Sequence, residues 1–136
     1  MSSVAIRAAM ESALNGMSPS LATAWENTPY TPTPGTAYQR VHLLLADPEM
    51  VEMSGRIHRE RGFLQVTLCY PTETGPNAAQ ARAELIRSTF YAGAEFTAGG
   101  ITVRVEKTPE IAPAMIENDT YETPVRIRFY AFVTRS

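Results

Sequence analysis

Along the first seventeen positions, Ile6, Met10, Ala13, Leu14 and Met17 recur near one face of a 3.6-residue period. That spacing predicts a helix over residues 3–15, with Ser2 or Ser3 as its N-cap and Gly16 at its end. The segment Leu21 to Asn27 reads as a short strand carrying the only tryptophan, Trp25. In Thr28 to Gly35, three prolines remove backbone donors, which predicts an extended surface loop. Alternation then takes over. From Tyr38 to Leu45, Gln39, Val41, Leu43 and Leu45 share one face, and Tyr38, Arg40, His42 and Leu44 the other.

Asp47-Pro48 ends that strand, and residues 48–62 read as a long polar connection. A second strand follows at Phe63 to Tyr70, where Leu64, Val66, Leu68 and Tyr70 alternate with Phe63, Gln65, Thr67 and Cys69. The two strands pair as a hairpin with an extended tip. Connections of this length within a compact domain are often functional, which makes 48–62 the first candidate for a partner surface. Pro71 to Pro76 breaks the strand, and Asn77 is placed to cap a helix from about Ala78 to Tyr91. Its expected buried stripe is Ala78, Ala81, Leu85, Ser88 or Thr89, and Phe90, with Arg82, Glu84 and Arg87 opposite. Glu84 and Arg87, three apart, suit a weak exposed pair.

Glu95-Phe96-Thr97 and Ile101 to Val105 flank Ala98-Gly99-Gly100, a hairpin signature. Ile111 and Met115 fit a short irregular strand between prolines, and Asn118-Asp119-Thr120 reads as a turn. The last strand, Val125 to Thr134, places Val125, Ile127, Phe129, Ala131 and Val133 on one face. Arg126, Arg128, Tyr130 and Phe132 share the other, which suggests a second, partly covered surface.

Composition narrows the function. The chain of 136 residues, 44% hydrophobic and 19% charged, suits one domain spanning residues 1–136 with a core of its own. Twelve basic against fourteen acidic residues give a formal net charge of −2, so the chain as a whole does not attract a polyanion, and no nucleic-acid binding is expected. Arg7 interrupts the first apolar stretch, so no signal peptide is expected, and no apolar run approaches a membrane span. One cysteine, with no Cys or His pair at ligand spacing, argues for a reducing, cytoplasmic setting and against a structural metal.

Catalytic constellations have little to draw on. His42 lies in a strand, His58 in the long connection, and no phosphate loop, dinucleotide fingerprint or Gly-x-Ser-x-Gly elbow accompanies them. Cys69, among apolar and β-branched neighbours, reads as a small buried hydrophobe rather than a nucleophile. Glu49, Glu52, His58 and Glu60 lack the spacing of a zinc or calcium loop. No enzyme activity, cofactor or metal is therefore expected. Surface contact remains: Arg56, His58, Arg59 and Arg61 are the densest basic stretch, and Met50, Val51 and Met53 are apolar side chains that favour cover by a partner. These seven residues form the candidate protein interface.

The order of motifs carries a resemblance. Thr23-Ala24-Trp25-Glu26-Asn27, Tyr38-Gln39-Arg40-Val41, Asp47-Pro48-Glu49, Arg59 to Val66, Ala81 to Arg87, Ala98-Gly99-Gly100 and Ala112-Pro113-Ala114-Met115 together resemble the small tail terminator-like proteins of tailed phages and prophages, which are similar to lambda-type tail terminators. The resemblance runs from about residue 3 to 134. It implies an α+β fold, two helices packed on a curved, mostly antiparallel mixed sheet with a long extended β-hairpin, and the elements read from the pattern contain those parts. It implies a homo-hexameric ring that caps the tail tube, stops its polymerisation and joins the head, with the tail tube protein and a head–tail connector as partners. The protein would assemble in the host cytoplasm and end in the virion tail. A head–tail connector or tail-completion protein is the alternative; a small hydrolase or ligand-binding domain would need a pocket built on His42, Cys69 or paired carboxylates.

Overall fold

The computed structural model describes residues 2–17, 21–31, 35–46, 48–50, 56–72, 75–117 and 120–134. In order these form α1 (Ser2–Asn15), β1 (Thr23–Ala24), β2 (Tyr38–Leu45), β3 (Glu49–Met50), β4 (Ile57–Pro71), α2 (Asn77–Thr89), β5 (Glu95–Ala98), β6 (Ile101–Val105), β7 (Glu110–Ile111), β8 (Met115–Glu117) and β9 (Thr120–Thr134). The strands make one curled mixed sheet in the order β1-β2-β4-β9-β6-β5, with β3 added to β4, and β7 and β8 to β9. Among the described strands, only β1 runs parallel to its neighbour. Two helices on a curled, mostly antiparallel sheet are the α+β architecture expected from the sequence.

β4 and β9 pair along all fifteen residues of each, from Ile57↔Thr134 to Pro71↔Thr120. At roughly 3.3 Å per residue this ribbon is about 50 Å long. Opposed residues share a face, so Leu64, Val66, Leu68, Val125, Ile127, Phe129 and Ala131 form one buried inner face. Ile6, Met10 and Leu14 of α1, and Ala83 and Ile86 of α2 with Phe90 just after it, pack onto that face in one core. Fully burying such Leu, Ile or Phe side chains contributes roughly 1.5–3 kcal/mol each.

The second helix departs from its expected stripe. Ala79, Arg82, Ala83 and Ile86 are buried, whereas Ala78, Ala81 and Ser88 are exposed. The alanines admit two stripes one residue apart, and the burial of Ile86 and Phe90 selects the second, carrying the Arg82 stem inward with it. The N-cap is Pro76 rather than Asn77, with no side-chain cap hydrogen bond. Arg87 and Glu84 do approach, at 3.6 Å. In the β5–β6 hairpin, Gly99 and Gly100 have φ of 58° and 78°, the two positive values that a tight primed turn requires.

Residues 57–62 are strand, not connection. β2 pairs with β4 as Leu45↔Gly62, and β3 resumes as Glu49↔Arg59 and Met50↔His58. Between these two pairs the first strand spends one residue more than β4 does, so the residues that face inward are reversed from β2 to β3. Met50 therefore joins the face of His58. The last strand likewise begins earlier than expected, at Thr120, with Pro124 inside it. The Pro124 carbonyl accepts from the Ala112 N–H at 2.9 Å, so its donor-less edge faces β7 and β8, and the accompanying edge breaks between those strands. The expected turn at Asn118-Asp119 and part of the proline-rich loop, residues 32–34, lie outside the described residues.

The edge beside β2 is closed by a side chain. β1 reaches only Gln39 and Arg40, and one turn later Glu26 Oε1 accepts the Leu43 N–H at 3.0 Å and an Arg7 guanidinium N–H at 3.1 Å. Glu26 thus ties α1 to the sheet edge. The Leu43 N–H, and then Arg7, hold its carboxyl below the ordinary value of 4.5.

Two outcomes follow from these contacts. A Cβ at Gly62 would lie 2.1 Å from the Leu44 carbonyl oxygen and 2.9 Å from Leu45 Cα. Gly62→Ala should therefore cost roughly 3 kcal/mol in chemical denaturation, the upper end for overpacking, because backbone must move; unchanged stability would refute the close approach. Since the fold favours ionised Glu26, its contribution is complete above about pH 4.5 and is lost as pH falls through that value toward the lower folded pKa. Glu26→Gln should lose about 1 kcal/mol at neutral pH and show a shallower acid decline, measured by urea titrations from pH 3 to 7.

Candidate protein interface

Beyond the reversal between β2 and β3, β3, the first part of β4 and the last part of β9 form an arm that carries the described members of the candidate interface. Strand alternation splits them. His58 lies on the inner side with Met50 opposite, and its Nε2 is 2.9 Å from Glu60 Oε1. Arg59 and Arg61 lie on the outer side, opposite Phe132 and Tyr130. Arg56 is exposed just before β4, and Met50 is 63% exposed. Val51 and Met53 lie outside the described residues. The single basic stretch of the sequence thus serves two faces.

The outer side adds residues that linear spacing did not bring to Arg59 and Arg61. The Arg59 guanidinium lies 5.5 Å from the Tyr130 ring centre, and Tyr130 meets Phe132 edge to face at 5.8 Å. Phe63 lies under Arg126 and Arg128, each 5.6 Å from its ring centre. Arg104 of β6, opposite Tyr130, bonds Glu95 of β5. Arginines stacked on aromatic rings cover apolar surface with their stems, and here Arg126 also donates to Gln65 Oε1 at 3.2 Å while Arg128 lies 3.7 Å from Glu110. The available sequence signal was the pair Tyr130 and Phe132 on the non-core face of the last strand.

Further apolar side chains stand open. Leu44 and Leu45, at the end of β2, are exposed and border a concavity of about 270 Å³ with Arg61, Phe63 and Arg128. Met115 and Ile116 of β8 are exposed at the opposite end of the ribbon. Scattered single apolar residues are ordinary, but clusters at the ends of sheet strands call for a covering surface.

Residues considered for catalysis are held apart or engaged structurally. His42 is exposed on the outer face opposite Gln65, and Cys69 is buried opposite Tyr38, four positions along β4. Burial pushes the Cys69 thiol up, away from the thiolate that nucleophilic attack requires. Burial likewise raises the Tyr38 phenol, which meets Cys69 and stacks with Tyr30 at 5.3 Å. Glu122, nearly buried beside them, bonds Arg40 at 2.7 Å. Among the described residues, no three His, Cys, Asp or Glu side chains are grouped to hold a metal, and no described helix is long and apolar enough to cross a membrane.

A solved protein structure with 25% sequence identity aligns with a TM-score of 0.79, covering 96% of this chain and 96% of its own. No curated protein matches the sequence significantly. The profile of the phage tail terminator protein family matches residues 5–129, from the first turn of α1 into the second half of β9. The chain therefore belongs to the phage tail terminator family, whose role is structural.

Proposed function

We propose that this protein caps the tail tube, stops its polymerisation and forms part of the head–tail joining surface, acting as a homo-oligomeric, hexameric ring on the tube end. Family membership carries the reading. Termination requires one surface that matches the tube subunit and another that does not, so that addition ceases. Cyclic symmetry multiplies each small contact. A chain whose conspicuous features are exposed sheet ends rather than a reactive pocket is suited to that work. The partners are further copies of itself, the tail tube protein and a head–tail connector, met first in the host cytoplasm and then in the virion tail. The arm with Met50, Val51, Met53, Arg56, His58, Arg59 and Arg61 contacts a neighbouring copy or the tube.

Electron microscopy of particles lacking this gene tests the role. Overlong tails are the expected result, and normal-length tails left unjoined to heads would assign the protein to head–tail connection instead. Deleting Glu49 to Gly55 tests the arm: native mass spectrometry should register weakened assembly and micrographs irregular tail length. Unchanged assembly together with unchanged length would remove the arm from the interface.

A further inference from the structure

β1 pairs with only two residues of β2, and a side chain continues where that strand leaves off. The Gln39 N–H bonds the Ala22 carbonyl at 2.9 Å, in the parallel register Thr23↔Gln39. Carried on along both strands, this register would bring the Leu43 N–H to the main-chain carbonyl of Glu26. It meets Glu26 Oε1 instead, at 3.0 Å. The main-chain carbonyl has turned away: the Thr28 N–H bonds the Trp25 carbonyl at 3.2 Å, Asn27 has a φ of 57°, and the Thr28 hydroxyl donates to Glu26 O at 3.4 Å. Asparagine tolerates that left-handed conformation better than most residues, and the turn leaves the carboxylate in the place of the next strand oxygen.

Beyond this point the edge of β2 is open. The Ala46 N–H bonds the Arg61 carbonyl of β4, so the main-chain groups of Leu43 and Leu45 point the other way, where no described strand pairs with them. Leu45 is 43% exposed and Val4 of α1 63%, and with Arg7 and Leu43 they border a concavity of about 340 Å³. Such an edge is complementary to itself. Two copies related by a two-fold axis at Leu44 would set Leu43 of each opposite Leu45 of the other, exchange main-chain hydrogen bonds, and bring their apolar borders together.

We infer that Glu26 is an edge stop, which keeps free copies from pairing through β2. To form the pair, each Leu43 N–H would exchange a charged acceptor for a neutral carbonyl, and the displaced carboxylates would face one another near the seam. Arg7 opposes that displacement. Its guanidinium holds the same Oε1 at 3.1 Å while bonding Glu11 at 3.2 Å within α1. A two-fold edge pair would also spend its surface in a closed dimer, whereas a larger assembly needs copies left free to join through other faces. The stop acts on free copies, whatever they later join.

Glu26→Ala removes the stop in the purified full chain. In dilute solution the Leu43 amide should exchange with solvent at least about tenfold faster than in the wild type, while the Gln39 amide, still bonded to Ala22, is unchanged. As the variant is concentrated, sedimentation velocity should show association beyond the wild-type state at about tenfold lower protein concentration, and Leu43 should become protected again. Adding Leu45→Lys, a charge at an exposed place on the same edge, should reverse that association. Glu26→Gln keeps an acceptor oxygen and should keep Leu43 protected. If Glu26→Ala does not fold, Arg7→Met carries the test, since it removes only the brace; both readings should then move the same way by a smaller factor. Association that stays at the wild-type level, that leaves Leu43 exchanging fast, or that survives Leu45→Lys would overturn the stop.

Discussion

The unbroken pairing of β4 with β9 is the constraint on which the rest of the molecule depends. Every inner position on either strand faces the same side as its opposite, so one register decides the core, the outer arginine and aromatic face, and the length of the arm. A slip of one residue would exchange Leu64, Val66 and Ile127 with Phe63, Gln65 and Arg126. The inward row of fully buried branched residues makes that slip costly, and the register is correspondingly secure. β2, β6, β7 and β8 then attach to edges whose facing is already determined.

Three local interruptions shape this ribbon without disturbing it. The extra residue between β2 and β3 turns Met50 inward and lets the first strand cross close over Gly62. Pro124 has no donor for the β7 and β8 side, which divides that edge into two short strands. The departure of β6 after Arg104 exposes the terminal edge of β9. Each interruption lies on a strand bordering the central pair or on its outer edge, where lost hydrogen bonds cost the core least. The exposed Leu44, Leu45, Met50, Met115, Ile116 and Phe132 stand close to these same places.

Much of this was legible in the sequence because alternation and helical spacing report burial directly. The inner faces of β2, β4 and β9, the α1 stripe and the Gly99-Gly100 turn follow from residues within a few positions of one another. The α2 stripe was misplaced because alanines mark both candidate faces, and Ile86 rather than Leu85 decides only when a sheet is present beneath them. Residues 57–62 read as polar connection because His58, Glu60 and Arg61 carry no hydrophobic alternation; their strand character comes from pairing with β9. The candidate interface was located as a stretch, yet its division between two faces, and its meeting with Tyr130 and Phe132, depend on a register more than seventy residues apart.

A formal charge of −2 describes the chain poorly as a partner for anything. What governs recognition is where the charge lies: Arg126 and Arg128 of β9 stand on the outer face over Phe63, whereas Glu122, the one acid of that strand, is buried and bonded to Arg40. Exposed ion pairs contribute little by themselves, so a surface that covers this face would draw most of its binding free energy from exposed apolar side chains such as Leu44, Leu45 and Phe132. The arginines would instead select orientation and partner.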